Sequence, residues 1–198
     1  MAFIHAVAHL TASGLDRPLQ GDLGGGGVWI QQIPRPRVRG RRRLRFARLD
    51  RLSQLSLTTA AAAMERAEGR GAPRPQDEAL AGVALGTAFG AHLSNELFQA
   101  GLMKEGQDGA SPALFPYTLP STAAGELSLH LGLRGPIITL AQGPGSGMAA
   151  LAAAADQVDR GGASWMVAGA ADTLGETLLR AAGDRAAQMT EGAVFVVL

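Results

Sequence analysis

The chain has 198 residues, 46% of them apolar, with a formal net charge of +1. That suffices for one domain with a core and offers no bulk charge to draw a polyanion, so nucleic acid is not an expected partner. The absence of cysteine excludes disulfides, Cys-ligated zinc and a thiolate nucleophile, and it favours a cytoplasmic protein over a secreted one.

Ala2 to Leu10 reads as a buried strand. It carries His5 and His9 and no basic start, so it does not resemble a signal peptide, and no apolar run reaches the ~18 residues of a membrane span. Thr11 to Gly27 reads as loop, and Trp29 to Gly40, with Pro34 and Pro36, as extended or irregular. A basic stretch follows: Arg35, Arg37, Arg39, Arg41, Arg42, Arg43, Arg45, Arg48 and Arg51 crowd one window. Only Phe46 interleaves with them, too little aromatic surface for a base-stacking groove. A solvated or subunit-contacting loop and a docking face for an acidic carrier or partner both fit this stretch.

Leu49 to Glu68 places Leu49, Leu52, Leu55, Ala60, Ala63, Met64 and Ala67 at helical spacing, and Gly69, Gly71, Pro73 and Pro75 stop it. Ala79 to Thr87 predicts a buried strand and Ala91 to Met103 a second helix. Glu105 to Pro120 is a long irregular connection. Ser121 is a candidate cap for a helix to about Leu131. Ile137 to Ala141 predicts a strand, the glycine-rich segment 143–147 a tight turn, and Met148 to Val158 a helix that ends near Gly161. Trp165 to Ala170 and Gly192 to Leu198 predict strands, and Thr173 to Ala182 a short helix between them. Alternating strands and helices imply an α/β class with a mostly parallel five-stranded sheet and helices on its faces. The chain reads as a single domain over 1–198 with a basic irregular insertion at about 24–48.

Chemistry centres on Gly143, Pro144, Gly145, Ser146 and Gly147. A strand–turn–helix junction aims free backbone N–H groups and the positive helix end at one point, suited to an oxyanion, carbonyl or phosphate. The Gly143-x-Gly145-x-Gly147 spacing with Asp172 downstream partly mimics a dinucleotide fingerprint. No lysine follows the glycines, so it is not a Walker loop, and Pro144 occupies the first glycine of a nucleophile elbow centred on Ser146. As a nucleophile, Ser146 needs a base, and His130 is the candidate; the plainer roles are a helix-start serine and a packed histidine. No carboxylate pair or metal-ligand cluster is recognisable, and no cofactor or metal is expected.

Several segments together resemble the N-terminal half of the β-ketoacyl synthases of the thiolase fold. They are Pro120-Ser121-Thr122-Ala123-Ala124-Gly125, Leu131-Gly132-Leu133-Arg134-Gly135-Pro136 and Thr139 with the glycine turn. Asp50 to Leu55, Ala84-Leu85-Gly86-Thr87 with Gly90, Val167 to Asp172 and Thr190-Glu191-Gly192-Ala193 add to the match in the right order. In the catalytic family a cysteine stands at the helix N-terminus, where the dipole favours its thiolate. Threaded without gaps, that position here is Pro144. The family's two histidines belong to the C-terminal half, beyond the stretch represented here. The pattern is similar to the chain-length factors, inactive partners of type II polyketide and aryl-polyene synthases. Full-length members often carry Gln at the lost nucleophile, and Gln142 reaches that position only across a gap.

The resemblance implies a pseudoenzyme that pairs with a catalytic ketosynthase subunit as a heterodimer or heterotetramer and meets acyl carrier protein through that partner. It implies that the strand Ile137, Ile138, Thr139, Leu140 and Ala141 forms the dimer, since an apolar edge strand needs a partner. It nominates Leu102, Met103, Phe115 and Tyr117 to end the acyl tunnel, with ordinary core or interface packing as the competing role. Arg41, Arg42, Arg43 and Arg45 are candidates for carrier-protein docking. A homodimeric half-synthase scaffold or small-ligand binder, and a dinucleotide-binding domain, stand as alternatives.

Overall fold

The computed structural model describes residues 1–17, 27–38, 45–72 and 80–198. The predicted elements form around one sheet. Strand β1 is Ala6–Thr11 and β2 is Gly14–Leu15; helix α1 is Arg51–Gly69, β3 is Ala81–Gly86 and α2 is His92–Glu105. Helix α3 is Ser121–Leu131, β4 is Ile137–Leu140, α4 is Ser146–Asp159, β5 is Trp165–Asp172, α5 is Glu176–Ala182 and β6 is Gly192–Val197. The connection after α2 contains two 3₁₀ turns, Gly106–Gly109 and Phe115–Thr118.

Helix α1 begins where Asp50 accepts the Ser53 N–H at 3.0 Å, an N-cap that satisfies one of the orphan donors of the first turn. Its apolar stripe of Leu52, Leu55, Ala60, Ala63 and Ala67 is buried as the spacing requires. The expected Ser121 cap is absent: Pro120 takes the cap position and Ser121 is already the first helical residue. Proline suits that place because its missing N–H falls where the helix has no acceptor.

The described residues make six strands rather than five, in the order β2-β1-β6-β5-β3-β4. Strands β3, β4 and β5 are parallel, but β6 runs antiparallel to both β5 and β1, and β2 antiparallel to β1. The sheet is therefore mixed. The connection after β5 holds α5 and a 3₁₀ stretch, Gly183–Gln188, and returns to the end where β5 finishes, so that Asp172 pairs with Gly192. The two-residue β2 forms inside the expected loop, and β1 starts at Ala6 rather than Ala2, with His5 N donating to the Val197 carbonyl at 2.8 Å just before it.

Helices α1 and α3 cover one face, where Leu55, Leu127, Val83, Val167 and Phe195 form the main core. Helix α4 covers the opposite face over β3, β4 and β5, with Ala84, Ala150, Ala154, Met166 and Ala168 beneath it. Small residues let it close on the sheet. A Cβ on Gly86 of β3 would stand 2.2 Å from the Ser146 carbonyl oxygen, so only glycine fits under the first turn of α4.

Candidate functional site

The site is the junction of β4, turn and α4. Gly143 sits at φ +87°, a left-handed conformation that turns the chain sharply out of β4. Pro144 is exposed, and Gly145 occupies the cap position of α4 with no side-chain cap. Ser146 is buried, and its hydroxyl is committed to the turn: Oγ donates to the Gly143 carbonyl at 2.7 Å and accepts the Gln142 N–H at 2.8 Å. It thus works as a staple across the turn.

His130 lies elsewhere. It is buried on α3, on the α1 side of the sheet, with Nε2 3.3 Å from Glu126 Oε2 and Nδ1 without a hydrogen-bond partner. Ser146 belongs to the helix on the other face. The sheet therefore separates the pair that a serine nucleophile would need.

Beside the turn, a cavity of about 330 Å³ opens between the first turns of α4 and the strands β5 and β6. Gly143, Pro144, Gly147, Met148 and Leu151 form one wall, and Ala168, Gly169, Ala170, Val194 and Val196 the floor. Its charged residue is Asp172. Asp172 Oδ1 accepts from Thr87 Oγ1 at 2.7 Å, Ala88 N at 2.8 Å and Phe89 N at 3.0 Å. It thereby fixes the turn from β3 into α2 beside the glycine turn. An acidic residue clamped in this way is not presented to a ribose, which removes the acidic half of the dinucleotide pattern.

Burial pushes the Asp172 carboxyl above the ordinary aspartate range, partly opposed by its three hydrogen bonds. A folded-state pKa above the unfolded one favours the fold fully below the unfolded pKa, and that contribution is lost as pH rises through the folded pKa. Asp172→Asn keeps the accepting oxygen and removes the charge. It is expected to hold or raise the melting temperature at about pH 7 and to flatten the pH dependence down to about pH 4. Thermal melts of both proteins across that window check this, and a less stable variant at neutral pH contradicts it.

The tunnel candidates lie on α2 and the 3₁₀ turn before α3, and none lines this cavity. Met103 is 88% and Phe115 62% exposed, Leu102 is half-buried, and Phe115 packs at a tilt on Phe98 with ring centroids 5.8 Å apart. Tyr117 is half-buried, and its hydroxyl donates to Glu126 Oε1 at 3.2 Å. Burial first, then the Glu126 charge and hydrogen bond, with Asp50 adding, push its pKa up to about 12. Of the docking candidates, Arg45 is exposed, while Arg41, Arg42 and Arg43 lie outside the described residues. Arg51 turns inward to the fully buried Glu191. In the sequence Glu191 stands out only within the Thr190-Glu191-Gly192-Ala193 match; its role as a buried partner of Arg51 was not read from it.

Among the described residues strand β4 is the sheet edge and pairs only with β3, and Ile137 is 51% exposed on it. Pro136 O accepts from Val83 N and Leu140 O from Thr87 N. By the alternation of a parallel ladder, the N–H groups of Ile137 and Thr139 point away from β3. Among the described residues the edge is open for another strand.

Among the described residues no helix is long and apolar enough to cross a membrane. The chain is 32% identical over 146 residues to nodulation protein E of Rhizobium leguminosarum bv. trifolii, covering 74% of this chain and 35% of that protein. It is 34% identical over 97 residues to 3-oxoacyl-[acyl-carrier-protein] synthase 2 of Vibrio harveyi, covering 49% and 23%. The chain spans about a third of the length of the curated relatives it matches.

Among solved structures, the ishigamide ketosynthase/chain length factor superposes with TM-score 0.70 at 19% identity, over 98% of this chain and 60% of that one. The ketosynthase ApeO in complex with its chain length factor ApeC from Xenorhabdus doucetiae gives TM-score 0.58 at 16% identity, over 77% and 58%. These likenesses establish the thiolase-like ketosynthase fold. Residues 21–193 match the model of the β-ketoacyl synthase N-terminal domain, and the chain belongs to that family.

Proposed function

We propose that this chain is a non-catalytic, chain-length-factor-like subunit that pairs with an active β-ketoacyl synthase during elongation of acyl chains carried on acyl carrier protein. One observation carries the reading: Pro144 stands at the start of α4, where the resemblance places the cysteine nucleophile, and Ser146 nearby is locked in the turn. A proline ring cannot form an acyl-enzyme, so the helix dipole and free N–H groups have no nucleophile to activate. The open edge of β4 supports a strand-pairing partner. Ketosynthase–chain length factor pairs among the similar solved structures support the same arrangement.

The subunit acts sterically in this reading. Exposed Phe115 and Met103, with Leu102 and Tyr117 behind them, reach toward the partner's cavity rather than toward the one beside Pro144. In the assembled complex, Phe115→Ala is expected to shift products to longer chains, read by mass spectrometry of the released acyl groups. Unchanged product length in an intact complex contradicts the gate. Arg45 and the neighbouring Arg41, Arg42 and Arg43 add an attraction for acidic carrier protein. Turnover that does not fall with rising salt contradicts that contribution.

Co-expression with a ketosynthase, followed by affinity purification and mass measurement of the intact complex, tests the pairing. A stable complex containing both chains is expected. Recovery of this chain alone favours the second reading, a homodimeric half-synthase scaffold or small-ligand binder, which the apolar cavity beside α4 and the exposed Met148 support.

A further inference from the structure

The connection from Gly106 to Pro120 has no core of its own. None of its residues is buried, including those of its two 3₁₀ turns. The turn Phe115–Thr118 is nevertheless gripped from two helices. On α2, Asn95 Nδ2 donates to the Thr118 carbonyl at 3.1 Å, and on α3, Thr122 Oγ1 donates to the Pro116 carbonyl at 2.5 Å. Both bonds hold backbone carbonyls. They fix where the chain passes, and they act on no side chain of the turn.

Tyr117 is the side chain that ties the turn to α3. It is half-buried, and its hydroxyl donates to Glu126 Oε1 at 3.2 Å. A 3₁₀ turn advances about 120° per residue, so a side chain two positions earlier leaves on a different side. Phe115 accordingly stands 62% exposed while Tyr117 is held. Any roll of the turn about its axis carries the two side chains together. The bond that holds the Tyr117 hydroxyl therefore also sets the direction of Phe115, alongside the ring contact with Phe98.

Glu126 suits that task because both ends of its carboxylate are engaged. Oε2 lies 3.3 Å from Nε2 of His130, one helical turn on, and His130 is buried with Nδ1 unpartnered. A neutral imidazole carries its proton on one nitrogen. A lone pair on Nε2 would face the carboxylate across 3.3 Å, so the proton is assigned to Nε2 and Nδ1 is the bare nitrogen. Asp50 is the other carboxylate whose charge acts on the Tyr117 phenol. Its oxygens are already committed, one to the Ser53 N–H at 3.0 Å and one to the Ser94 hydroxyl at 3.1 Å.

We propose that Glu126 is a positioning residue for the Phe115–Thr118 turn: it takes the Tyr117 hydroxyl on one oxygen, is steadied by His130 at the other, and so sets where Phe115 points in the assembled complex. The effect on products rests on the reading of Phe115 as a gate; the hold on the turn does not.

Hydrogen exchange of the full chain reads the turn directly. The Tyr117 N–H donates to the Leu114 carbonyl at 2.9 Å. It is expected to exchange about 3- to 10-fold faster in Glu126→Ala and in Tyr117→Phe, the effect of one lost hydrogen bond. Glu126→Gln keeps an accepting oxygen and is expected to stay near the wild type. Phenol ionisation separates charge from hydrogen bond, and because the chain carries one tyrosine, ultraviolet absorbance reports on Tyr117 alone. The wild-type midpoint is expected at about 12 and a lower one in Glu126→Gln, where the charge is gone and the bond is kept. In the assembled complex, Glu126→Ala and Tyr117→Phe are expected to broaden the products toward longer chains, and Glu126→Gln to keep the wild-type length. If Glu126→Ala fails to fold, Tyr117→Phe, which keeps the ring, carries the test. Unchanged exchange on loss of the bond overturns the proposal, and so does a Glu126→Gln protein that exchanges as fast as Glu126→Ala. Unchanged products in the Glu126→Ala and Tyr117→Phe complexes, where Phe115→Ala lengthens them, also overturn it and leave the gate standing. If Phe115→Ala itself changes nothing, the gate reading falls, and exchange alone decides whether Glu126 holds the turn.

Discussion

Replacing Glu191 by alanine is expected to destabilise the chain by ~3–5 kcal/mol, the range for breaking a buried ion pair and leaving its partners unmatched. Glu191 is fully buried at the start of β6. Its carboxylate accepts from Arg51 Nε at 2.7 Å and Nη2 at 2.6 Å, from Ile30 N at 3.0 Å and from Leu174 N at 3.4 Å. Arg51 Nη2 also donates to the Ile30 carbonyl at 2.5 Å. One side chain thus ties the first residue of α1, the segment around Ile30, the loop after β5 and the start of β6. Removing it strands two buried N–H donors and a guanidinium that is partly open to water, which moderates the loss. At about 2–4 °C per kcal/mol for a chain of this size, a fall of roughly 10 °C in melting temperature follows. Glu191→Gln keeps the volume and an acceptor, so it is expected to fall between the two. A loss below about 1 kcal/mol for the alanine variant, measured by urea titration, contradicts the assigned role.

The second large effect concerns assembly. Thr139→Pro removes an N–H that points away from β3, on a strand where the inward bonds belong to neighbouring residues. Proline is tolerated at such an edge because no ladder bond inside the sheet is lost. The chain is expected to remain folded by circular dichroism while its complex with a ketosynthase weakens by ~100-fold or more, because the edge can no longer donate to an added strand. Retained affinity in a titration of the folded variant contradicts strand pairing through β4. Loss of affinity with loss of fold is resolved by Ile137→Asp, which alters the exposed side chain and leaves every backbone donor in place.

The elements that could be read from the chain are those whose signal is local. Helix α1 shows its period in Leu52, Leu55, Ala63 and Ala67, and the junction from Ile137 to Val158 shows its strand, turn and helix in order. The direction of β6 was not legible because its alternation is the same in either direction, and the pairing with β5 and β1 that sets it joins residues distant in sequence. The two-residue β2 carries no periodicity of its own and exists through its pairing with Leu10 and Thr11.

The site divides the same way. Pro144 at the helix start follows from threading one motif. The partners that fix the turn beside it and the fold around it are far apart in sequence: Thr87 with Asp172 next to the glycine turn, and Arg51 with Glu191 elsewhere in the fold. No periodic pattern links such residues, and only packing brings them together. Tyr117 shows the limit of reading a side chain by type. It was nominated as a tunnel aromatic, and its hydroxyl is also engaged with Glu126, whereas Phe115 on the same turn is largely exposed.

The most direct measurement is the intact mass of each subunit after the assembled complex is incubated with acyl-loaded carrier protein. The account predicts an acyl adduct on the ketosynthase alone, with this chain unmodified at all times. An acyl adduct on this chain, at Ser146 or anywhere on the turn that holds Pro144, would contradict it.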